Sequence, residues 1–142
     1  MSTVTLAADA TTLILNGTPI LDFIAGDIFD LNPINPLTSQ VMGSVGVNIN
    51  KRSDADARNL VFRVLRYSDD DVFLNSAANS EALTIFNGSA KTSFNKDGIA
   101  GVESWILEAG SITTQPTIVY NDTDGNSSME YTIMFRFTQR NI

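Results

Sequence analysis

Apolar and polar residues alternate in short runs along most of this chain. The clearest run is residues 129–138, where Met129, Tyr131, Ile133, Phe135 and Phe137 alternate with Glu130, Thr132, Met134, Arg136 and Thr138. A period of two places the two sets on opposite faces of a strand, so this segment predicts a half-buried antiparallel strand with Tyr131, Ile133 and Phe135 in the core. Residues 11–15 (TTLIL) and 18–23 (TPILDF) flank Asn16-Gly17. Asn-Gly between two apolar runs predicts a tight hairpin, because both residues tolerate positive φ. Residues 27–31 follow Gly26 as a further strand signal, with Ile28 and Phe29 among polar neighbours. In residues 40–50 (QVMGSVGVNIN), Val41, Val45, Val47 and Ile49 share one parity, which predicts a strand. Residues 60–67 (LVFRVLRY) are apolar and rich in β-formers, and residues 83–86, 89–94, 102–109 and 117–120 add shorter strand signals. Residues 121–128 (NDTDGNSS) predict a hairpin loop before the last strand.

Two kinds of interruption organise these strands. Residues 32–36 (NPINP) carry Pro33 and Pro36, each of which lacks a backbone donor and restricts the residue before it, so residues 32–39 read as a long loop. Such a loop is either a surface connection or a functional element. Residues 51–59 are charged and polar and read as a turn region. Ser68 to Asp71 has the Ser-x-x-Asp form of a capping box, which places the helix N-cap at Ser68 with Asp71 answering it. Phe73/Ala77 and Leu74/Ala78 follow at i, i+4, so a short helix over 68–79 is predicted. One long helix over 54–79 is the competing reading, disfavoured by Val61, Phe62, Val64 and Tyr67. No repeat or linker divides residues 1–142, which predicts a single, mainly β domain.

Composition narrows the chemistry. The 142 residues contain no His and no Cys. Disulfides and thiolate metal sites are thereby excluded, and so are the commonest general bases and nucleophile–base pairs. The chain is not expected to be an enzyme or to carry a cofactor. Sixteen acidic against nine basic side chains leave a net charge of −7. Tight wrapping of nucleic acid is not expected from such a chain, and no polybasic run would hold it on an anionic membrane. No apolar stretch reaches the roughly 18–20 residues of a membrane span, and residues 1–5 (MSTVT) do not open a secretory signal.

The remaining clusters have structural readings. Asp69, Asp70 and Asp71 suit a helix N-terminus. Asp54 and Asp56 sit in a polar turn. Asp122-x-Asp124-Gly125-Asn126 has a weak likeness to a calcium loop but lacks the following bidentate Glu, and Asp-Gly is equally a hairpin turn, so no metal site is assigned. Gly43-x-x-Gly46 lacks the Gly-Lys-Ser/Thr of a phosphate loop and reads as strand-edge or loop glycine. Arg63 and Arg66 are expected in ion pairs, and Trp105 as a core or interface anchor.

The order of several segments resembles a known family. Phe23-Ile-Ala-Gly-Asp27, Gly43-Ser-Val-Gly46, the β-rich residues 60–67, and Ser68 opening a short helix that carries Leu74 follow one another as in tail tube proteins of contractile-tailed bacteriophages. The likeness spans residues 16–79, and the closing β hairpin is consistent with it; the paired prolines of residues 32–36 depart from it. The resemblance implies two antiparallel sheets in a barrel-like sandwich with one short helix packed outside. It implies a virion structural protein, assembled in the host cytoplasm, whose six copies close a ring. Rings would stack into a tube inside a sheath, between baseplate and terminator proteins, and genomic DNA would pass through the lumen without sequence-specific binding. The fold is shared with type VI secretion tube proteins. Stacking needs a loop that projects beyond the sheet, so the region holding Asp27, Asp30, Pro33, Pro36, Gly43 and Gly46 is the expected contact between subunits, and the helix is expected to face outward or toward a neighbour. Two other readings fit the same pattern: another tail structural protein (terminator, baseplate hub or decoration), or a β-sandwich module binding a glycan or small ligand.

Overall fold

The computed structural model describes residues 2–24, 28–52, 55–119 and 128–142, with residues 6–10 described by backbone alone. The strands are β1 (Val4–Leu15), β2 (Thr18–Ile20), β3 (Phe29–Pro33), β4 (Thr38–Met42), β5 (Asn48–Arg52), β6 (Arg58–Leu65), β7 (Phe86–Lys96), β8 (Ile99–Thr114) and β9 (Ser128–Asn141), and α1 (Asp69–Ala78) lies between β6 and β7. Seven strands form one sheet in the order β2-β1-β7-β8-β9-β6-β3, and β4 pairs with β5 apart from it. Every pairing is antiparallel. The chain is therefore mainly β, with two antiparallel sheets and one helix, as pattern and resemblance predict.

The sandwich comes from the long sheet curling over on itself. Ile20 of β2 and Val64 of β6 stand near opposite ends of the strand order yet share one buried cluster with Leu13, Leu15, Phe86 and Met129. Beyond β2 the chain reaches across to β6: Phe23 bridges Val64, and Leu65 N donates to Asp22 O at 2.9 Å. A bridge this short approaches closure without making a barrel. Tyr131, Ile133 and Phe135 are all buried from β9, facing Leu60 and Phe62 of β6.

The turn at Asn16-Gly17 has positive φ at both residues (50° and 79°), the mirror-image geometry that matches the twist of flanking strands. Asn16 also ties this turn to β7, because its Oδ1 accepts from Asn87 N at 2.8 Å and its Nδ2 donates to Ile85 O at 3.1 Å. Asn87 in turn accepts from Ala109 N at 3.1 Å through Oδ1. Ala109 has φ 55° and lies where the pairing of β7 with β8 slips, between Phe86 and Gly88. Below this bulge the faces of β9 exchange. Phe135 is buried, Phe137 is 36% exposed, and Thr138 is buried with its hydroxyl donating to Asp56 O at 2.7 Å. The alternation that assigned Phe137 to the apolar face is thus broken by the bend.

Helix α1 seals one end of the sandwich. Ser68 Oγ accepts from Asp71 N at 3.3 Å and donates to Leu65 O at 2.6 Å. Asp71 Oδ2 accepts from Tyr67 N at 3.0 Å, so the reciprocal half of the box reaches one residue further back than usual. The other acidic residues do more than cap. Asp70 is buried, and its Oδ2 accepts from both Leu21 N and Asp22 N at 2.7 Å, which pins the chain leaving β2. Asp71 Oδ1 accepts from the Tyr131 hydroxyl at 2.7 Å. Leu74 is fully buried in the core, and Phe73 meets Phe86 edge to face at 6.2 Å. The helix therefore covers the end of the sandwich where residues 15, 64, 86 and 129 meet.

Several expectations are corrected. Pro33 lies inside β3, paired opposite Arg58, so residues 32–39 are not one loop. β3 is an edge strand, where a missing N–H on the outer side breaks no ladder. Residues 40–50 are two strands turning at Gly43–Gly46, not one, with Gly46 at φ 87° and Gly43 N donating to Val47 O at 2.7 Å. Lys51 and Arg52 end β5 and Arg58 begins β6, which shortens the expected turn and rules out one helix over 54–79. Residues 117–119 form no strand, and of residues 83–86 only Phe86 is in one. Residues 120–127 lie outside the described residues, and with them Asp122 and Asp124. Arg63 does form an ion pair as expected, 4.0 Å from Glu130 at the surface, and Trp105 packs half-buried against the core cluster with the Arg58 guanidinium over its ring at 4.9 Å.

The Tyr131–Asp71 contact gives a testable alkaline limb. Burial, then the hydrogen bond to Asp71 and its negative charge, push the Tyr131 phenol well above its ordinary value. A raised folded value means that the stability held by the neutral phenol is complete below about pH 10 and is lost as pH rises beyond it. Tyr131→Phe is expected to lower unfolding free energy by about 1–3 kcal/mol at pH 7 and to flatten the loss above pH 10. Urea unfolding from pH 7 to 11 measures both; an unchanged alkaline slope would refute the assignment.

Candidate assembly surfaces

β4 and β5 form an arm that stands off the body. Thr38 pairs with Arg52 and Met42 with Asn48, and every residue of both strands is exposed. The base is held where Ile34 N donates to Ala57 O at 3.3 Å. A two-stranded hairpin alone is marginal in water, so an arm of this kind needs a partner surface to be well ordered. Its side chains are also unusual for solvent. Val45 is 91% exposed and Met42 81%, and Val41, Val47 and Ile49 are exposed beside them. Between residues 32 and 52 the only ionised groups are Lys51 and Arg52, so the arm is basic on an acidic chain.

The second feature is a pair of open edges. β1 pairs with β7 over most of its length, yet β2 covers only Leu13–Leu15 on its other side. β9 pairs with β8 to its end, yet β6 covers it only from Ser128 to Phe135. Among the described residues, the first three-quarters of β1 and the last six residues of β9 have no strand on their outer sides. The two edges bound a four-stranded sheet, β1-β7-β8-β9. Three antiparallel steps separate them, so β1 and β9 run in opposite directions.

The outward face of that sheet is laid out in cross-strand rows. One row is Thr12, Lys91, Ser104 and Asn141, and the next is Ile14, Ser89, Ile106 and Gln139. The inward side opens into a cleft of about 930 Å³ at the end away from α1, walled by Val4, Phe29, Phe94 and Ile142. Arg140 and Glu103 are paired in this wall, Nε donating to Oε2 at 2.7 Å. Phe94 lies across Gly101 on the next strand, where a Cβ would meet the ring at 2.4 Å, so a larger residue at 101 would require the ring to move.

The residues expected at the subunit contact fall in two places. Pro36 precedes the arm and Gly43 and Gly46 form its tip, whereas Asp30 and Pro33 lie on the exposed edge strand β3. Asp27 lies outside the described residues. Sequence reasoning missed the exposed apolar side chains of the arm, because period-two alternation reports pairing and says nothing of what covers the strand. The glycines at 43 and 46 were the available signal of a turn. Among the described residues no acidic cluster is arranged to hold a metal ion.

No family model matches the chain, and no curated protein matches it in sequence. Solved structures do. A chain of the PVC sheath–tube complex, from an extracellular contractile injection system in the extended state, is 11% identical, with 96% of this chain and 91% of that one covered at a TM-score of 0.64. A chain of the PVC sheath/tube terminator in the extended state is 12% identical, with 97% of each covered at 0.61. A chain of the tube-terminating cap of the anti-feeding prophage is 12% identical, with 96% and 91% covered at 0.60. At such identities the likeness establishes the fold, and the fold is of the contractile tail tube kind.

Removing the arm should cost the folded body little, since nothing in it is buried. Replacing residues 38–52 by a short Gly-Ser turn is expected to shift the melting temperature by no more than about 4 °C, the equivalent of roughly 1 kcal/mol in a domain of this size. A thermal scan showing collapse of the transition would place the arm in the core instead.

Proposed function

We propose that this chain, as one domain over residues 1–142, is a virion structural protein whose copies close into hexameric rings and stack into a tail tube. The observation that carries the reading is the pair of open, oppositely directed edges on one four-stranded sheet. Setting β9 of one copy beside β1 of the next makes an antiparallel pair. Repeated in one rotational sense, this heterologous contact closes a ring and leaves neither of these two edges unpaired. The resulting wall is a continuous barrel of four strands per copy.

The arm supplies the second contact. Its exposed Val45, Val47 and Ile49 and its basic Lys51 and Arg52 suit the acidic, partly apolar surface of a copy in the next ring, with Pro36, Gly43 and Gly46 setting the reach of the hairpin. Asp27, Asp30 and Pro33 belong to the same proposed contact region, and helix α1 then faces the outside of the tube, where a sheath would lie. Baseplate and terminator proteins are the expected partners at the two ends, in a tail assembled in the host cytoplasm. The role is structural, not catalytic, with DNA as the proposed cargo of the lumen.

A second reading has a specific observation behind it. The TM-scores to the terminator and cap chains, 0.61 and 0.60, nearly equal the 0.64 to the sheath–tube chain. Terminal proteins form one or a few rings, whereas a tube subunit repeats along the tail. Copy number in the native particle separates the two.

Electron microscopy of the purified protein across a concentration series tests the proposal. Rings and stacked tubes are expected for the native chain, and Val47→Asp is expected to leave rings but abolish stacks, with monomer stability changed by about 0.5 kcal/mol or less. A chain that stays monomeric at every concentration and is absent from any tail would end the proposal.

A further inference from the structure

We infer that Asn16-Gly17 is a self-modification site, at which the Asn16 amide cyclises onto the next backbone nitrogen and reopens as aspartyl or isoaspartyl, and that a clasp from β7 holds it unreacted in the folded chain. The chemistry belongs to the single chain and does not depend on the assembly proposed above.

Two asparagines of the chain precede glycine, Asn16 and Asn87, and the fold brings them together. The reaction is a displacement. The Gly17 nitrogen bonds to Asn16 Cγ, the Cγ–Nδ2 bond breaks, and ammonia leaves with the proton of the attacking nitrogen. Water then opens the cyclic imide at either carbonyl. One opening leaves a carboxylate on the side chain, and the other puts an extra methylene into the main chain. Glycine favours the first step because it has no Cβ to shield its nitrogen. The fold selects both glycines. Gly17 has φ 79°, and a Cβ at Gly88 would meet the Ile14 carbonyl oxygen at 2.1 Å. Asn16 stands at φ 50°, where Asn is among the best-tolerated side chains. The reactive pairs are therefore imposed by the hairpin and by the close approach of β1 to β7.

The two sites differ in what guards them. Gly88 lies inside the sheet, opposite Leu15 of β1 and Leu107 of β8, so paired backbone flanks it on both sides. Asn16 and Gly17 are exposed, with open space beside the Gly17 α-carbon. What holds Asn16 is its own side chain. Oδ1 accepts from Asn87 N at 2.8 Å, and Nδ2 donates to Ile85 O at 3.1 Å. Asn16 N also donates to Asn87 O at 2.8 Å, which ties the turn to β7. Cyclisation expels Nδ2, so the bond to Ile85 O is lost on the way. Both side-chain bonds stabilise the unreacted amide and slow the closure.

Conversion is not reversed by refolding. An aspartate at 16 turns a carboxylate oxygen toward the Ile85 carbonyl, acceptor against acceptor. An isoaspartyl residue lengthens a two-residue turn, and the pairing of Leu13–Leu15 with Thr18–Ile20 depends on that turn. Modification therefore loosens β2 and bares more of the β1 edge.

The test follows both sites by mass spectrometry of proteolytic peptides, after incubation of the chain at mildly alkaline pH, either folded or unfolded in guanidinium. The unfolded chain is expected to convert Asn16 and Asn87 at similar rates. The folded chain is expected to convert Asn16 at least about tenfold more slowly, the factor that two net hydrogen bonds supply, and Asn87 more slowly still. Asn87→Pro removes the N–H that Asn16 Oδ1 accepts and is expected to raise the folded rate at Asn16 toward the unfolded one, with circular dichroism checking the fold. If that variant does not fold, the native ratio of folded to unfolded rates decides. Asn16→Asp is expected to melt below the native chain by about 4 °C or more, and an unchanged melting curve would remove the structural consequence. Asn16 reacting as fast in the folded chain as in the unfolded one would overturn the clasp. An unfolded chain in which Asn16 stays intact would overturn the site, and folded-state conversion at Asn87 ahead of Asn16 would overturn the choice between the two.

Discussion

Every edge of a β-sheet presents a row of backbone donors and acceptors that must find partners, and this chain leaves two such rows on two long strands, β1 and β9. Both have the same kind of origin. β2 is three residues long and stops covering β1 above Leu13. β6 begins only at Arg58, so β9 below Phe135 loses its neighbour. The late start of β6 is set by the arm: the chain leaves the sheet after Pro33, builds β4 and β5, and returns at Ala57. The excursion that makes the projecting hairpin is thus also what bares the β9 edge. A solitary domain would blunt such edges with charge, bulges or short strands. Here the exposed stretches are long, although β1 carries a register shift between Leu6 and Thr11 and β9 bends after Phe135, and that length is the arrangement expected of a part that meets copies of itself.

The rest of the molecule is organised to hold those edges in place. The closed end is locked by polar contacts from one helical turn: Asp70 on the backbone at Leu21 and Asp22, and Asp71 on Tyr131. A carboxylate that accepts two backbone N–H groups gains charge-assisted hydrogen bonds and satisfies donors left over where β2 ends. The apolar cluster gathers at the same end, around Leu74, Phe86 and Met129. The far end is looser, with a cleft of about 930 Å³ between its walls. Rigidity is therefore concentrated where the helix sits, and the four long strands extend from it toward the open cleft.

Much of this was legible in the sequence. Asn16-Gly17 specified its hairpin, Ser68 and Asp71 fixed the helix start, and the alternation from Met129 to Phe135 named a core face, because each of those signals is local and has one low-energy solution. The failures share a cause in what lies next to a segment. Pro33 was taken to break the ladder, yet an edge strand has no ladder on its outer side to break. Residues 40–50 looked like one strand, yet they fold back on themselves in solvent. Phe137 left the apolar face because a bend at Ala109, on the adjacent strand β8, shifted the parity of β9. Asp70 and Asp71 were explained by capping alone, since nothing local announces which distant N–H or hydroxyl a carboxylate will meet. The candidate surface was half legible: the arm's tip glycines and prolines were singled out, whereas its exposed valines and the open edges depend on pairings that only the fold decides.

Charge follows the same rule of neighbourhood over sum. The excess of acid over base describes how the chain behaves at long range, in solubility and in avoiding chance contacts with nucleic acid. It does not describe any one face. The basic groups of residues 32–52 are both on the arm, while the outward four-stranded face carries Lys91 and the exposed Glu108, one charge of each sign. If copies join edge to edge, the assembly sorts these unequal surfaces into separate environments: a basic, apolar hairpin toward the next layer, acidic loops and the helix toward the outside, and a hydroxyl-rich sheet toward the lumen. The wall of such a ring takes its charge from alternate residues of four strands, and the chain takes its net charge from all the others.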